Sequence, residues 1–305
     1  METGKKMDME QFAEDIKERL EQQGWLEVEL KHVLKNNGVT RCGLIIHSGG
    51  NNLAPTIYME SFFMAYRDGA DMQEIIGKIM EAYEGAPGAE VDMSFFRDFS
   101  TVRDRLYIKL VNREANTELL ANLPYREFLD LAVVYYIDYD NPRTGAGTIQ
   151  IHNSHMEMWG VTEEDLWETA SKNTPERKPG RIECMGDILK ELSAEQGNDE
   201  GESRSSKGNS PVPMLVITNA ERAYGAAVVM YSGMLKQAAD KTESDLFILP
   251  SSLHETIAIP VTEERGVAEL KEMVMEVNRK VLQPEEVLSD NVYIYRREQD
   301  RLEIA

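Results

Sequence analysis

One short segment, LPSSLHETIAIP at 249–260, groups several residue types that can do chemistry together. It places Ser251, Ser252, His254 and Glu255 within five positions. A serine, a histidine and a carboxylate are the side chains of a hydrolase with an activated nucleophile. The first question is therefore whether this segment holds a nucleophile and its base, or a polar turn between two strands.

The spacing favours a turn. If a strand begins by residue 252, Ser252 and His254 share a face with Cβ atoms roughly 6.5–7 Å apart, from a rise of about 3.3 Å per residue. A serine and its base need about 2.6–3.2 Å between their heteroatoms. His254 and Glu255 are adjacent, so their side chains point to opposite faces and do not orient one another. If the segment binds a ligand, Ser251, Ser252, His254 and Glu255 are the candidate contacts.

A second group, in IHNSHMEMWG, consists of His152, His155 and Glu157. Residues three apart on a helix share a face, so two imidazoles could meet one metal ion. The segment lacks the H-E-x-x-H pattern, and no third ligand stands at a telling distance. We therefore expect two surface histidines at a strand–helix junction, with no metal and no cofactor.

The composition is that of a globular protein. The 305 residues are 42% hydrophobic and 29% charged, which is enough to bury a sizeable core. With 33 basic and 54 acidic residues the net charge is −21, and this charge repels a nucleic-acid backbone. We expect a protein or small-molecule ligand as partner and no nucleic acid, while the sequence leaves the oligomeric state open.

The two cysteines, Cys42 and Cys184, stand far apart and in no metal-like spacing, as is typical of a reduced intracellular protein. The N-terminus has no apolar h-region. No run approaches the roughly 18 apolar residues of a membrane span. We expect a cytoplasmic protein without membrane association.

The elements that must position these residues indicate an α+β fold. The N-terminal part predicts a helix followed by antiparallel hairpins and further helices, and Asn37-Gly38 is the strongest hairpin signal. Residues 125–138 are rich in β-branched and aromatic side chains and predict strand structure that NPRTGAG turns back. Thr162-x-x-Asp165 opens a helix that we expect Pro175 to close.

Residues 195–210 contain no large apolar side chain and predict a flexible linker or surface loop. The expected organisation is an N-terminal α+β domain at 1–194, this linker, and a C-terminal unit at 211–305. Strands at 226–231, 245–249, 255–260 and 291–297, with two intervening helices, predict a ferredoxin-like β-α-β-β-α-β unit. Residues 213–219 form a lead-in strand.

Three phrases together resemble a known family: PYREFLDLAVVYYID, ITNAERAYGAAVVMYSGML and DLFILPSSLHETIAIP. With the terminal VYIYRRE, they are similar to a family of uncharacterised intracellular proteins, a domain of unknown function, from gut-dwelling Gram-positive bacteria. The resemblance covers nearly the whole chain, with 195–210 as its variable part. It implies a cytoplasmic α+β protein and supplies no activity, cofactor or catalytic residue.

Three functions stay open. The first is a cytoplasmic, non-enzymatic binding or regulatory protein, because the sequence holds no complete catalytic constellation or cofactor pattern. The second is a hydrolase that uses Ser251 or Ser252 with His254 or Glu255. The third is an acidic inhibitor of a basic nucleic-acid-binding partner, which depends on the charge of −21 alone.

Overall fold

The computed structural model describes residues 7–25, 27–47, 54–85, 94–141, 145–188, 214–262 and 266–305. Contacts group the chain into two compact units, Met1–Asp98 with Asp138–Thr148 and Phe99–Ile137 with Ile149–Ala305. This grouping differs from the expected division into 1–194 and 211–305, and the expected linker at 195–210 lies outside the described residues. Among the described residues, no helix is both long and apolar enough to cross a membrane.

The first unit packs helices on a three-stranded antiparallel sheet with strand order β1-β2-β3. Its elements are α1 (Met9–Gln22), β1 (Val28–Leu34), β2 (Thr40–Ile46), β3 (Thr56–Tyr58), α2 (Glu60–Arg67) and α3 (Met72–Gly85). The predicted hairpin at Asn37-Gly38 is confirmed, because both residues adopt positive φ, 60° and 68°, as this tight turn requires. Phe12, Ile16 and Leu44 are fully buried in its core.

A second sheet has the order β4-β6-β5, with β7 paired to β6. Its strands are β4 (Leu106–Asn112), β5 (Tyr125–Phe128), β6 (Leu131–Asn141) and β7 (Gly145–Gln150). Residues 125–138 form two strands because the chain turns at Leu129, whose φ is 54°, and Asp130. Residues 131–137 of β6 are all buried, as expected of a central strand.

Four helices of the second unit accompany this sheet: α4 (Phe99–Val102), α5 (Thr117–Leu120), α6 (Asn153–Trp159) and α7 (Glu163–Arg177). Thr162 and Asp165 form the predicted capping box of α7. The prediction that Pro175 ends this helix is wrong, since α7 continues to Arg177. Proline removes one helical hydrogen bond, and the buried Thr174 holds the last turn by accepting the Ile108 N–H at 3.1 Å.

The second unit also contains a six-stranded sheet with the order β13-β12-β10-β11-β9-β8, in which every neighbouring pair is antiparallel. Its strands are β8 (Gly180–Cys184), β9 (Leu215–Asn219), β10 (Leu246–Leu249), β11 (Thr256–Pro260), β12 (Tyr293–Arg296) and β13 (Arg301–Ile304). The connecting helices are α8 (Met234–Thr242) and α9 (Val267–Lys280). Helices and antiparallel sheets together make this an α+β protein.

The ferredoxin-like unit is not confirmed. The elements β9, α8, β10, β11, α9 and β12 do follow one another as β-α-β-β-α-β. In a ferredoxin-like sheet, however, the first strand is central, whereas here β9 lies outside β11 and the β10–β11 hairpin takes the centre. The structure also extends the sheet at its edges with β8 and β13.

The predicted strand at 226–231 is wrong, because Gly225–Met230 is a 3-10 helix. Residues 225–229 are buried without exception, so their apolar run carries no periodicity that separates a helix from a strand. Tyr224 precedes them with φ of 54°, and this left-handed residue stops any continuous strand.

The carboxylate of Asp130 ties the β5–β6 turn to the segment that leads into β12. It accepts hydrogen bonds from Ser289 Oγ at 2.7 Å, from Asn291 Nδ2 at 2.9 Å and from the hydroxyl of Tyr293. Asn112, at the end of β4, donates to the carbonyl of Leu288 at 3.0 Å in the same region. Burial and the Asp130 charge raise the pKa of Tyr293, so its hydroxyl stays a donor.

We expect Asp130→Asn to lower the free energy of unfolding by about 2–3 kcal/mol, because an amide nitrogen would face two donors and the charge that strengthens these bonds is lost. Chemical denaturation followed by circular dichroism measures the change. Asp104→Asn is the control, since the Asp104 side chain is 79% exposed and lies as far as 3.8 Å from the Arg103 guanidinium, and it should leave unfolding unchanged. Equal effects of the two substitutions would contradict this role.

Candidate functional site

The corner segment, residues 250–254, is held by backbone hydrogen bonds to residues 286–289. Ser289 N–H donates to the carbonyl of Pro250 at 2.9 Å and Leu288 N–H to that of Ser251 at 2.8 Å. Leu253 N–H donates to the carbonyl of Glu286 at 3.0 Å. These bonds satisfy a buried polar backbone that connects β10 to β11, so the predicted polar turn between two strands is confirmed.

The Ser252 hydroxyl is engaged by backbone. Its Oγ accepts the N–H of His254 at 3.0 Å, and the residue is only 3% exposed. A serine that bonds the backbone two residues on is a turn-forming serine. Within the described residues, the side chains of Ser251 and Glu255 are half-buried and form no hydrogen bond.

The imidazole of His254 is oriented by groups other than its sequence neighbours. Its Nδ1 accepts the backbone N–H of Tyr224 at 3.3 Å, so the proton of the neutral ring is on Nε2. Nε2 lies 3.8 Å from a carboxylate oxygen of Glu286, not of Glu255. The ring stacks on Tyr224, with centroids 5.9 Å apart and planes 19° apart.

Gly225 lets the 3-10 helix approach the corner segment closely. A Cβ at this position would lie 2.2 Å from Thr218 Oγ1 and 2.4 Å from the carbonyl oxygen of His254. Thr218 itself donates to that carbonyl at 2.8 Å. The space admits only glycine, and Tyr224 is thereby pressed against His254.

The Tyr224 ring also contacts a lysine side chain of β4, Lys109. The Lys109 ammonium lies 4.6 Å from the Tyr224 ring centroid and 5.7 Å from that of Tyr136. The two tyrosine rings meet edge to face at 5.2 Å. We call Lys109, Tyr136, Tyr224 and His254 the lysine–tyrosine cluster. His254, a candidate contact predicted from the sequence, therefore lies against the same tyrosine ring as Lys109. Lys109 was not among the residues predicted from the sequence.

Lys109 has no carboxylate partner in the part of the chain that the structure describes. Within the described residues, its ammonium forms no hydrogen bond or ion pair. Its charge is contacted by the rings of Tyr136 and Tyr224. Desolvation lowers the pKa of Lys109 to about 8. Cation–π contacts offset only part of the cost of taking an ammonium out of water.

Lys178 contacts the same tyrosine but is neutralised. Its ammonium lies 5.9 Å from the Tyr136 centroid and 4.6 Å from that of Tyr107. Its side chain is 4% exposed and pairs with the carboxylate of Glu221 at 2.5 Å. Of the two lysines at Tyr136, Lys109 is the one that a ligand or solvent must neutralise or solvate, because among the described residues it has no carboxylate partner.

Sequence reasoning missed Lys109, although it left a signal. It is the one charged residue inside the strand Leu106–Asn112, whose other side chains are buried or amide. A charge within an apolar strand needs a reason, because lysine is rarely buried without a partner. Tyr136 and Tyr224 had no such signal, since their approach depends on tertiary packing.

The paired histidines of α6 form a helix start. The N–H of His152 donates to Nδ1 of His155 at 3.1 Å, and the rings meet edge to face at 5.4 Å. Burial, and then the nearby His152, lower the pKa of His155. Glu157 is exposed. Within the described ranges, no group of three or more histidine, cysteine, aspartate or glutamate side chains is arranged to hold a metal ion.

A polar cleft of about 630 Å³ lies near the β12–β13 hairpin, but its charges neutralise one another. Arg296 pairs with Asp245 at 3.2 Å and with Glu303 at 3.4 Å. Arg301 pairs with Glu303 at 3.0 Å. These guanidinium groups are already satisfied, so the cleft is a weaker candidate for a charged ligand than Lys109.

The geometry of Ser252 predicts that a fluorophosphonate probe does not label it, because its hydroxyl is buried and bonded to backbone rather than to an imidazole. Mass spectrometry of the treated protein tests this. Labelling that disappears in Ser252→Ala and persists in Ser251→Ala would contradict the prediction.

The lowered pKa of Lys109 predicts a pH dependence of stability. Between about 8 and the ordinary value near 10.4, the folded state binds fewer protons than the unfolded state, so this residue makes stability rise with pH. We expect Lys109→Met to be more stable than the wild type at neutral pH and to lose this rise. Denaturation midpoints from about pH 7 to about pH 10 measure the difference, and parallel curves for the two proteins would contradict it.

No curated protein and no solved structure matches this chain. The sequence pattern of one family does match it, over residues 9–297, and that family has no assigned function. The match includes every residue of the lysine–tyrosine cluster and the corner segment. The chain belongs to the family of unknown function DUF5688.

Proposed function

We propose that this protein is a non-enzymatic binding or regulatory protein whose lysine–tyrosine cluster binds a small anionic ligand. The observation that carries the proposal is the Lys109 ammonium, which lies against two tyrosine rings with no carboxylate partner among the described residues. A desolvated cation of this kind gains most from an arriving anion, because the anion replaces the solvation that burial removed.

The surrounding charge makes the site selective. The chain carries a net charge of −21, which repels large anions from most of the surface. A small carboxylate or phosphate group that reaches Lys109 meets an unneutralised ammonium, whereas at Lys178 it would compete with Glu221. Lys109 is partly exposed and Lys178 is buried, so access favours the same residue.

The aromatic groups suit a ligand with a planar portion. Tyr224 presents its ring to Lys109 and to His254, and Tyr136 adds a second ring at 5.2 Å from Tyr224. Planar groups pack on such rings in offset or edge-to-face arrangements. Ser251, half-buried and without a side-chain hydrogen bond among the described residues, is the further polar contact that we propose for the ligand. Glu255 is not part of this proposal, because its carboxylate would repel an anion and its side chain points away from the face of His254.

The proposed setting is the reducing cytoplasm of a bacterium. Two observations support it: Cys42 and Cys184 are both free thiols, and Cys42 is buried. A secreted chain would more commonly pair its cysteines. The two unpaired thiols therefore support a reducing compartment.

Calorimetric titration with benzoate tests the proposal, because benzoate joins a carboxylate to a planar ring, and neutral benzamide has a similar shape. We expect benzoate to bind and benzamide to bind more weakly. Lys109→Met should weaken benzoate binding roughly 10- to 100-fold, the loss expected for one charged hydrogen bond.

Two control variants sharpen this test. Lys172→Met removes the same charge from an exposed position on α7, and it should leave binding unchanged. Lys109→Arg keeps the charge and should retain part of the affinity. Equal affinity of the wild type and Lys109→Met for benzoate would overturn the proposal.

A further inference from the structure

We propose that Lys109 forms a reversible imine with a small α-oxo acid, a compound that carries both a carbonyl and a carboxylate. This inference rests on the proposed anion-binding function and names the class of ligand. It concerns a covalent step, which requires the amine of Lys109 to be free, exposed to a small molecule and unneutralised.

The two lysines at Tyr136 provide an internal comparison. Both ammonium groups lie within 6 Å of this ring, Lys109 at 5.7 Å and Lys178 at 5.9 Å. The amine of Lys178 is paired with the carboxylate of Glu221 at 2.5 Å and its side chain is 4% exposed, so it is neither accessible to a small molecule nor free of a competing partner. Lys109 has no such carboxylate among the described residues, and the two rings offset only part of the cost of desolvating its charge.

The protonation state of Lys109 follows from this difference. With its pKa lowered to about 8 by desolvation, roughly a tenth of the amine is neutral at pH 7, against well under a thousandth for an ordinary lysine. Amines in aromatic or apolar surroundings become nucleophiles by this route. Lys109 should therefore react with carbonyl compounds much faster than the exposed lysines of the chain.

The proposed reaction needs no further reactant. The nitrogen lone pair of neutral Lys109 attacks the carbonyl carbon, and proton transfer gives a carbinolamine. Loss of water forms the C=N bond, and addition of water reverses it, with no change of oxidation state. The imine nitrogen then takes up one proton from water, and the protonated imine is again a cation beside Tyr136 and Tyr224, so the rings that contact the ammonium also stabilise the product.

A carboxylate on the same small molecule is the reason that we propose an oxo acid rather than a neutral ketone of the same shape. The anionic group is drawn to the unneutralised charge before the reaction and to the iminium charge after it. The planar C=N group also packs against the ring faces that line the cluster.

Reductive trapping tests the inference. The full-length protein is incubated with pyruvate and cyanoborohydride near neutral pH, and the modified lysines are identified by peptide mass spectrometry. We expect Lys109 to be modified at least 10-fold faster than any other lysine, with Lys178 unmodified. The rate should rise with pH and level off above about 8. Pyruvamide, which keeps the ketone and replaces the carboxylate by a neutral amide, should modify Lys109 more slowly.

Each other outcome is informative. Modification spread evenly over the lysines of the wild type would overturn the imine, and this readout does not depend on how any variant folds. Equal rates with pyruvamide and pyruvate would overturn the oxo-acid assignment. If benzoate binding requires Lys109 but pyruvate does not modify Lys109 selectively, the imine is ruled out and the anion site stands. If benzoate binding does not require Lys109 and the modification is not selective, both the imine and the anion site are ruled out. Lys109→Arg, folded by circular dichroism, should abolish trapping at this position.

Discussion

The Asp130 carboxylate is the contact on which the candidate site depends. It accepts from Ser289, Asn291 and Tyr293, and so it fixes the β5–β6 turn to the chain that enters β12. The same chain, at 286–289, is hydrogen-bonded to the corner segment 250–254. One short segment therefore joins the four-stranded sheet on one side to the corner on the other. A carboxylate with several donors is strong enough to define such a junction, since bonds to a charged acceptor are about twice as strong as neutral ones.

This junction determines which side chains can meet. β4 and β6 pair from Leu106 with Ile137 to Asn112 with Leu131, so Asn112 and the β5–β6 turn lie at one end of that pair. Lys109 and Tyr136 are then placed at fixed positions along it. The corner segment brings His254, and the tight approach at Gly225 brings Tyr224. The cluster thus combines residues from four separate stretches of sequence: Lys109 in β4, Tyr136 in β6, Tyr224 before the 3-10 helix and His254 in the corner segment.

Sequence patterns predicted the features that adjacent residues determine. The hairpin at Asn37-Gly38, the cap at Thr162 and the polar turn before β11 follow from local turn and capping chemistry. The 3-10 helix at Gly225–Met230 was not predicted, because a stretch of apolar residues that is buried on every side shows no hydrophobic periodicity. The central place of the β10–β11 hairpin also escaped prediction, since element order does not determine strand order. His254 was identified as a candidate, but its partners Tyr224 and Glu286 are 30 and 32 positions away.

The contrast between Lys109 and Lys178 bears on why a strongly acidic chain keeps a lysine with no carboxylate partner among the residues that the structure describes. The chain has 54 acidic residues, and one of them neutralises Lys178, so carboxylates are not scarce. An apolar residue at position 109 would fit a strand whose neighbours are buried, and it would avoid the cost of desolvating an ammonium. Stability alone therefore favours replacing Lys109 or pairing it. A desolvated lysine without a carboxylate partner is typical of a binding site, because the ligand can supply the negative charge that the surrounding residues do not.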